Sequence, residues 1–147
     1  MNRLFCLLMF GLMAVCAGAS VGAAQSMVDM KGTWQGSSKS IVSGLPAHHP
    51  TATPAKPAGP HRLTELKITI TIDGQEDGRF WGTLASPATT EPVIGVISPD
   101  GKRVRMVTQG GGVIEGTVLE NGSIDIFYIE NKAGVSVAAT NNFTKQK

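Results

Sequence analysis

Segment 92–144 alternates short β-forming apolar runs with tight-turn signals, and this narrows the possible folds more than any other feature. Val93-Ile94, Val96-Ile97, Val104, Met106-Val107, Val113-Ile114, Val118-Leu119, Ile124, the run 126–129, Val135 and Val137 carry the apolar character. Between them stand Pro99-Asp100-Gly101, Gly110-Gly111-Gly112, Asn121-Gly122 and Asn131-Lys132-Ala133-Gly134. Asp-Gly and Asn-Gly suit the positive-φ positions of primed hairpin turns. Connections this short exclude parallel crossovers, which need about a dozen residues or more. The segment is therefore an antiparallel meander.

The upstream sequence extends the same pattern. In 63–72, Thr64, Leu66, Ile68, Ile70 and Ile72 fall on one face, and Glu65, Lys67, Thr69 and Thr71 on the other. That alternation predicts a half-buried strand with one wet face. A first strand opens at Gly32, with Gly36 as a bend or bulge. Strands are expected at 32–43, 63–72, 79–85, 92–98, 102–108, 112–119, 123–130 and 135–144, with no helical period anywhere beyond residue 24. Sequential antiparallel strands remove their exposed edges by closing on themselves. The expected fold class is all-β: an eight-stranded antiparallel up-and-down barrel. Its interior is filled by side chains or holds one small ligand. A two-sheet sandwich is the structural alternative, but it requires a Greek-key crossover, and every connection after residue 60 is too short for one.

The first two dozen residues read differently. Arg3 is the only charge before Asp29, 4–15 is apolar apart from Gly11, and small residues follow at 17–20 and 21–24. This is the layout of a secretory signal peptide, with cleavage expected after Ala23 or Ala24. The apolar run is too short for a membrane span, which needs about 20 residues. A lipoprotein reading through Cys16 is the lesser alternative, because Val15 stands where a small residue is usual. The expected organisation is a signal peptide over 1–24 and one barrel domain over 25–147, interrupted by a Pro-rich loop at 44–60. Export to the periplasm or the extracellular space follows.

Both cysteines, Cys6 and Cys16, leave with the signal, so the exported chain has no thiol, disulfide or Cys-based metal site. Loss of Arg3 takes 13 basic residues to 12 against 11 acidic ones, a balance of +1. That gives no electrostatic basis for binding nucleic acid or an anionic membrane. The loop at 44–60 holds five prolines, four alanines, two histidines and no acid. It is expected to be a long surface loop without packing of its own. His48, His49 and His61 lie in or beside it and read as solvated loop histidines. No nucleophile elbow, zinc-protease helix or phosphate loop is present, so no catalytic residue, metal ligand or cofactor is assigned.

Trp34 and Trp81 are the only tryptophans and Tyr128 the only tyrosine. In a barrel such residues plug the core or line a ligand cavity. Gly32-Thr33-Trp34 on the first strand, the meander, and Asn142-Phe143-Thr144-Lys145 on the last resemble the calycin barrels, most closely the avidin and streptavidin family. Arg79-Phe80-Trp81-Gly82-Thr83-Leu84 is similar to that family's third strand. The resemblance implies a binding protein in which Ser40 and Ser86 match two ligand-contacting serines, Leu84 stands in place of a tyrosine, and Gly36 in place of an asparagine. Trp81 and Tyr128 complete the candidate ligand-binding set. It also implies that Lys145 covers Trp34 at the seam where the barrel closes. The biotin-binding residues are mostly absent, so the fold does not bring that function with it. The expected function is non-catalytic binding of a small, largely apolar molecule in or at the mouth of the barrel. The alternative is a secreted protein-interaction module, such as a protease inhibitor, built on a filled barrel.

Overall fold

The computed structural model describes residues 27–44, 49, 56–58 (backbone only) and 60–147. The expected signal peptide at 1–24 and most of the Pro-rich loop lie outside the described residues. Nine strands are present among them: β1 (Gly32–Gly44), β2 (Lys56–Ala58), β3 (His61–Glu76), β4 (Arg79–Ala85), β5 (Thr90–Ile97), β6 (Arg103–Thr108), β7 (Val113–Val118), β8 (Ile124–Lys132) and β9 (Val135–Lys145). All pairings are antiparallel and sequential, and β1 pairs with both β9 and β3. Eight strands thus close into the meander barrel, and the described strands contain no Greek-key crossover. The strand β2 is an addition the sequence did not announce. It pairs with the start of β3 through Lys56↔Leu63, Pro57↔Arg62 and Ala58↔His61. Proline is tolerated there because the other side of β2 is an edge.

The turns follow their sequence signals. Asp77-Gly78 carries positive φ at both residues, as a primed turn requires, and Gly101, Gly111, Gly122 and Gly134 are also left-handed. Alternation then separates two faces. The inner face at one end is apolar: Met30, Trp34, Ile72, Phe80, Ile97, Val104, Ile124 and Phe143 form part of one buried cluster. The segment before β1 crosses this end and closes it. Gln75 fastens it by accepting a hydrogen bond from Met30 N at 2.7 Å and donating one to Val28 O at 3.0 Å. Trp34 Nε1 donates to Met30 O at 2.8 Å.

The outer face carries an apolar belt. Across successive ladders Trp81 stands opposite Ile94, Ile94 opposite Val107, Val107 opposite Val113, and Val113 opposite Ile129. The row continues from Ile129 to Ala138, Ile41 and Leu63. Every barrel strand contributes one member, and all of them are exposed.

Candidate functional site

Away from the closed end, the same inner-face alternation delivers polar side chains. On β1 the inward positions run Trp34, Gly36, Ser38, Ser40 and Val42; on β9 they run Phe143, Asn141, Ala139, Val137 and Val135. Glu91 on β5, Thr108 on β6, and Tyr128 and Glu130 on β8 sit at the same end. Glu91 is 3% exposed and Glu130 2%. Burying a carboxylate is costly unless it is paired and hydrogen-bonded, and both are. Glu91 accepts from Gly110 N and contacts His49 Nε2 at 2.7 Å. Glu130 accepts from the Tyr128 hydroxyl at 2.9 Å and lies against the Lys132 ammonium. Burial, with that hydrogen bond second, holds the Tyr128 phenol well above its ordinary range.

The triglycine tip between β6 and β7 is drawn into this cluster. Gly110 donates to Glu91 and accepts from Lys132 Nζ at 3.2 Å, while a Cβ on Gly112 would strike the Tyr128 ring at 2.4 Å. The tip therefore closes over Tyr128 because it lacks side chains.

Of the ligand-binding candidates, Ser40, Leu84, Ser86 and Tyr128 belong to the inner-face series at or next to this end, and Trp81 does not. Ser40 Oγ is hydrogen-bonded to Thr64 Oγ1. Ser86 follows Leu84 on the same side of β4 and contacts His49 Nδ1 at 2.9 Å. Trp81 is 47% exposed on the outer face. Its indole lies against Gly74, where a Cβ would come within 2.2 Å of the ring. A register shift between Ile72 and Gly74 sets this pairing, and no simple strand count anticipates it. At the closed end, Lys145 Nζ is 5.7 Å from the Trp34 ring centroid.

His49 corrects the reading of solvated loop histidines. Its side chain is only 9% exposed, wedged between Ser86 and Glu91. His48 lies outside the described residues. A Ser–His–Glu sequence of contacts can relay a proton, but here the Ser86 oxygen also accepts from Ala88 N at 3.3 Å and Thr89 N at 3.1 Å. Those bonds hold the hydroxyl in the β4–β5 turn. The arrangement fastens His49 to the barrel mouth, so this residue of the Pro-rich segment is packed.

Asn141 is the site residue that sequence reasoning missed. It is 8% exposed, and neither its amide nitrogen nor its carbonyl oxygen has a hydrogen-bond partner among the described residues. It fits because Gly36 faces it: a Cβ there would meet Asn141 Oδ1 at 2.1 Å. The signal available in sequence was a polar residue at an inward position between Ala139 and Phe143. Among the described residues no group of three His, Cys, Asp or Glu is arranged to hold a metal ion. No protein-family model, curated protein or solved structure matches this chain.

Proposed function

We propose that this chain is an exported, non-catalytic binding protein whose barrel takes a small molecule with an apolar body and one amide-like or carboxylic head. The observation that carries the reading is the Asn141 carboxamide, buried with a free donor and a free acceptor side by side. Leaving such a group unpaired costs ~1–3 kcal/mol. A ligand head offering the complementary acceptor and donor recovers that cost. Ser38 and Ser40 on the neighbouring strand, register partners of Leu66 and Thr64, supply further polar groups.

A calycin-like barrel of the avidin type is the architecture this reading favours. Support comes from the Gly-x-Trp opening of β1, the closed meander and the basic residue over the tryptophan. Biotin itself is not the ligand proposed, because Gly36 and Leu84 replace hydrogen-bonding positions. Export to the periplasm or outside the cell rests on the signal-like segment 1–24.

The test is native mass spectrometry of protein purified from its own host, followed by thermal-shift measurements with amides, lactams and carboxylic acids. A retained small molecule that Asn141→Leu no longer retains supports the reading. No retained species and no shift with any class overturn it. The second reading, a secreted protein-interaction module, is favoured by the exposed hydrophobics of the outer face. It gains if a protein partner, and no small molecule, accompanies the purified chain.

A further inference from the structure

Along the inner face, Tyr128 stands one step nearer the mouth than Asn141. Ile126 is the register partner of Asn141 and Tyr128 that of Ala139, so the step along β8 is two residues, ~7 Å. Register partnership carries the Tyr128 level on from Ala139 to Ser40 on β1 and Thr64 on β3. Of these four residues only Tyr128 is large. Its ring is therefore the main obstacle on these strands between the mouth and Asn141.

The triglycine tip covers that ring, and its bonds fall into two classes. One class is internal. Thr108 N donates to Gly112 O at 2.9 Å, Gly111 N to Thr108 O at 3.0 Å, and Gly112 N to Thr108 Oγ1 at 3.1 Å. These bonds make 108–112 a self-contained turn at the end of the β6–β7 hairpin, rooted by Gln109 N, which donates to Pro92 O at 3.1 Å. The other class holds the tip down on the mouth. Gly110 N donates to the Glu91 carboxylate, and Gly110 O accepts from Lys132 Nζ at 3.2 Å. Gly112 rests on the Tyr128 ring, whose space a Cβ would overlap. Gly111 at the apex has a φ of +89°, and a Cβ there would meet nothing within 4 Å. Three successive glycines send no side chain into the core and can absorb the φ/ψ change that a hinge needs.

We propose that the triglycine tip is a gate on the barrel mouth, latched through Gly110 by Glu91 and Lys132, and that it swings off Tyr128 to open the way to Asn141. The gate rests on the reading of Asn141 as the ligand's partner, and it answers a need of that reading: at 8% exposure the amide is out of reach in the closed form. Seat and latch are connected. The Tyr128 hydroxyl donates to Glu130, Glu130 lies against the Lys132 ammonium, and Lys132 donates to Gly110 O. Both latch bonds involve a charged group, which makes each stronger than a neutral bond. Both end on one glycine, so their release frees the tip without disturbing the ladders. The Lys132 side chain is 41% exposed, so water can take over its ammonium as the gate opens. Segments that move for ligands are those with few apolar contacts of their own, and this tip has only Gly112 on the ring.

Amide hydrogen exchange followed by NMR, and nitration of Tyr128 by tetranitromethane, test the gate on the full protein without ligand. The chain has one tyrosine, so nitration reports on the seat alone. In the wild type the Gly110 amide should exchange faster than that of Ile114, a fully buried ladder residue, because the gate opens without the barrel unfolding. Lys132→Met removes one latch and should raise both Gly110 exchange and Tyr128 nitration by about tenfold or more, with Ile114 protection and circular dichroism unchanged. Gly112→Ala leaves Lys132 and Glu130 in place, yet its Cβ cannot share the ring's space, and it should raise nitration as well. Gly110 exchanging only together with Ile114, or equal nitration of all three proteins, overturns the gate. Failure to find a ligand for Asn141 would leave these rates as they are, so the gate and the ligand reading fail separately.

Discussion

Lys145 lies over the indole of Trp34, its Nζ 5.7 Å from the ring centroid, and the two residues are direct cross-strand partners. This is the seam where the first and last strands of the barrel meet. The ammonium is anchored a second time, donating to Asp29 O at 3.0 Å and Oδ2 at 3.1 Å. Trp34 is 3% exposed and bonded to Met30 O. One contact therefore joins the two ends of the described barrel and the segment that plugs it.

The two residues contribute unequally. Trp34→Ala removes a buried aromatic and leaves a cavity, which typically costs ~3–5 kcal/mol. Lys145→Ala removes an exposed cation–π contact of ~0.5–1 kcal/mol and a solvent-screened ion pair that adds little. Urea unfolding should show the tryptophan variant losing several times more stability than the lysine variant. Equal losses would remove Trp34 from its role as the plug.

Acid should act at the same seam. The hydrogen bond from Lys145 holds the Asp29 carboxyl below its usual value. A depressed carboxyl contributes stability above the unfolded value, near pH 4, that is lost as pH falls through the folded value. Lys145→Ala should flatten the acid side of the stability profile. Asp29 is largely exposed, so the effect should be small and should fade in high salt.

Tyr128 gives a base-side prediction free of ambiguity, since the chain has one tyrosine. Its phenol is held high by burial and by Glu130. A raised acid favours the protonated form in the folded state. Its contribution is complete below the unfolded value, about pH 10, and is lost as pH rises above it. Tyrosinate absorbance should therefore appear together with unfolding and not before. A titration completed near pH 10 with the barrel intact would show that Tyr128 is solvated.

The fold was readable because turn chemistry and period-2 alternation agree along nearly every strand. In β3 and β9 each inward residue can be named from sequence alone. Trp81 was grouped with Leu84 through the family resemblance, although the alternation of its own strand, with Phe80 and Leu84 inward, puts it on the outer face. His49 and β2 were lost in a Pro-rich stretch whose composition signals exposure, while their partners Glu91, Ser86 and β3 are remote in sequence. Asn141 was missed for a different reason. Alternation marks it as inward but cannot say that its amide lacks a partner, which depends on Gly36 across the β1–β9 seam.

Gly36 and Asn141 form a pair that can be tested from both sides. Asn141→Leu keeps the volume and removes a buried donor and acceptor that have no partner among the described residues. In ligand-free protein it should raise stability by ~1–3 kcal/mol, the cost of an unsatisfied buried polar group. Gly36→Ala should do the opposite. Its Cβ meets Asn141 Oδ1 at 2.1 Å and Asn142 O at 2.5 Å, and the second contact is backbone that cannot swing aside. Overpacking of this kind costs ~1–3 kcal/mol. Because the side-chain part of the clash is with Asn141 itself, the double variant Gly36→Ala with Asn141→Ala should recover part of the loss. Thermal and urea unfolding of wild type, Gly36→Ala, Asn141→Ala and the double variant form a double-mutant cycle, and a coupling of at least ~0.5 kcal/mol is expected for residues in contact. Strict additivity would mean that Asn141 does not sit over Gly36. A loss of stability in Asn141→Leu would mean that the amide is satisfied in solution and is not held ready for a ligand.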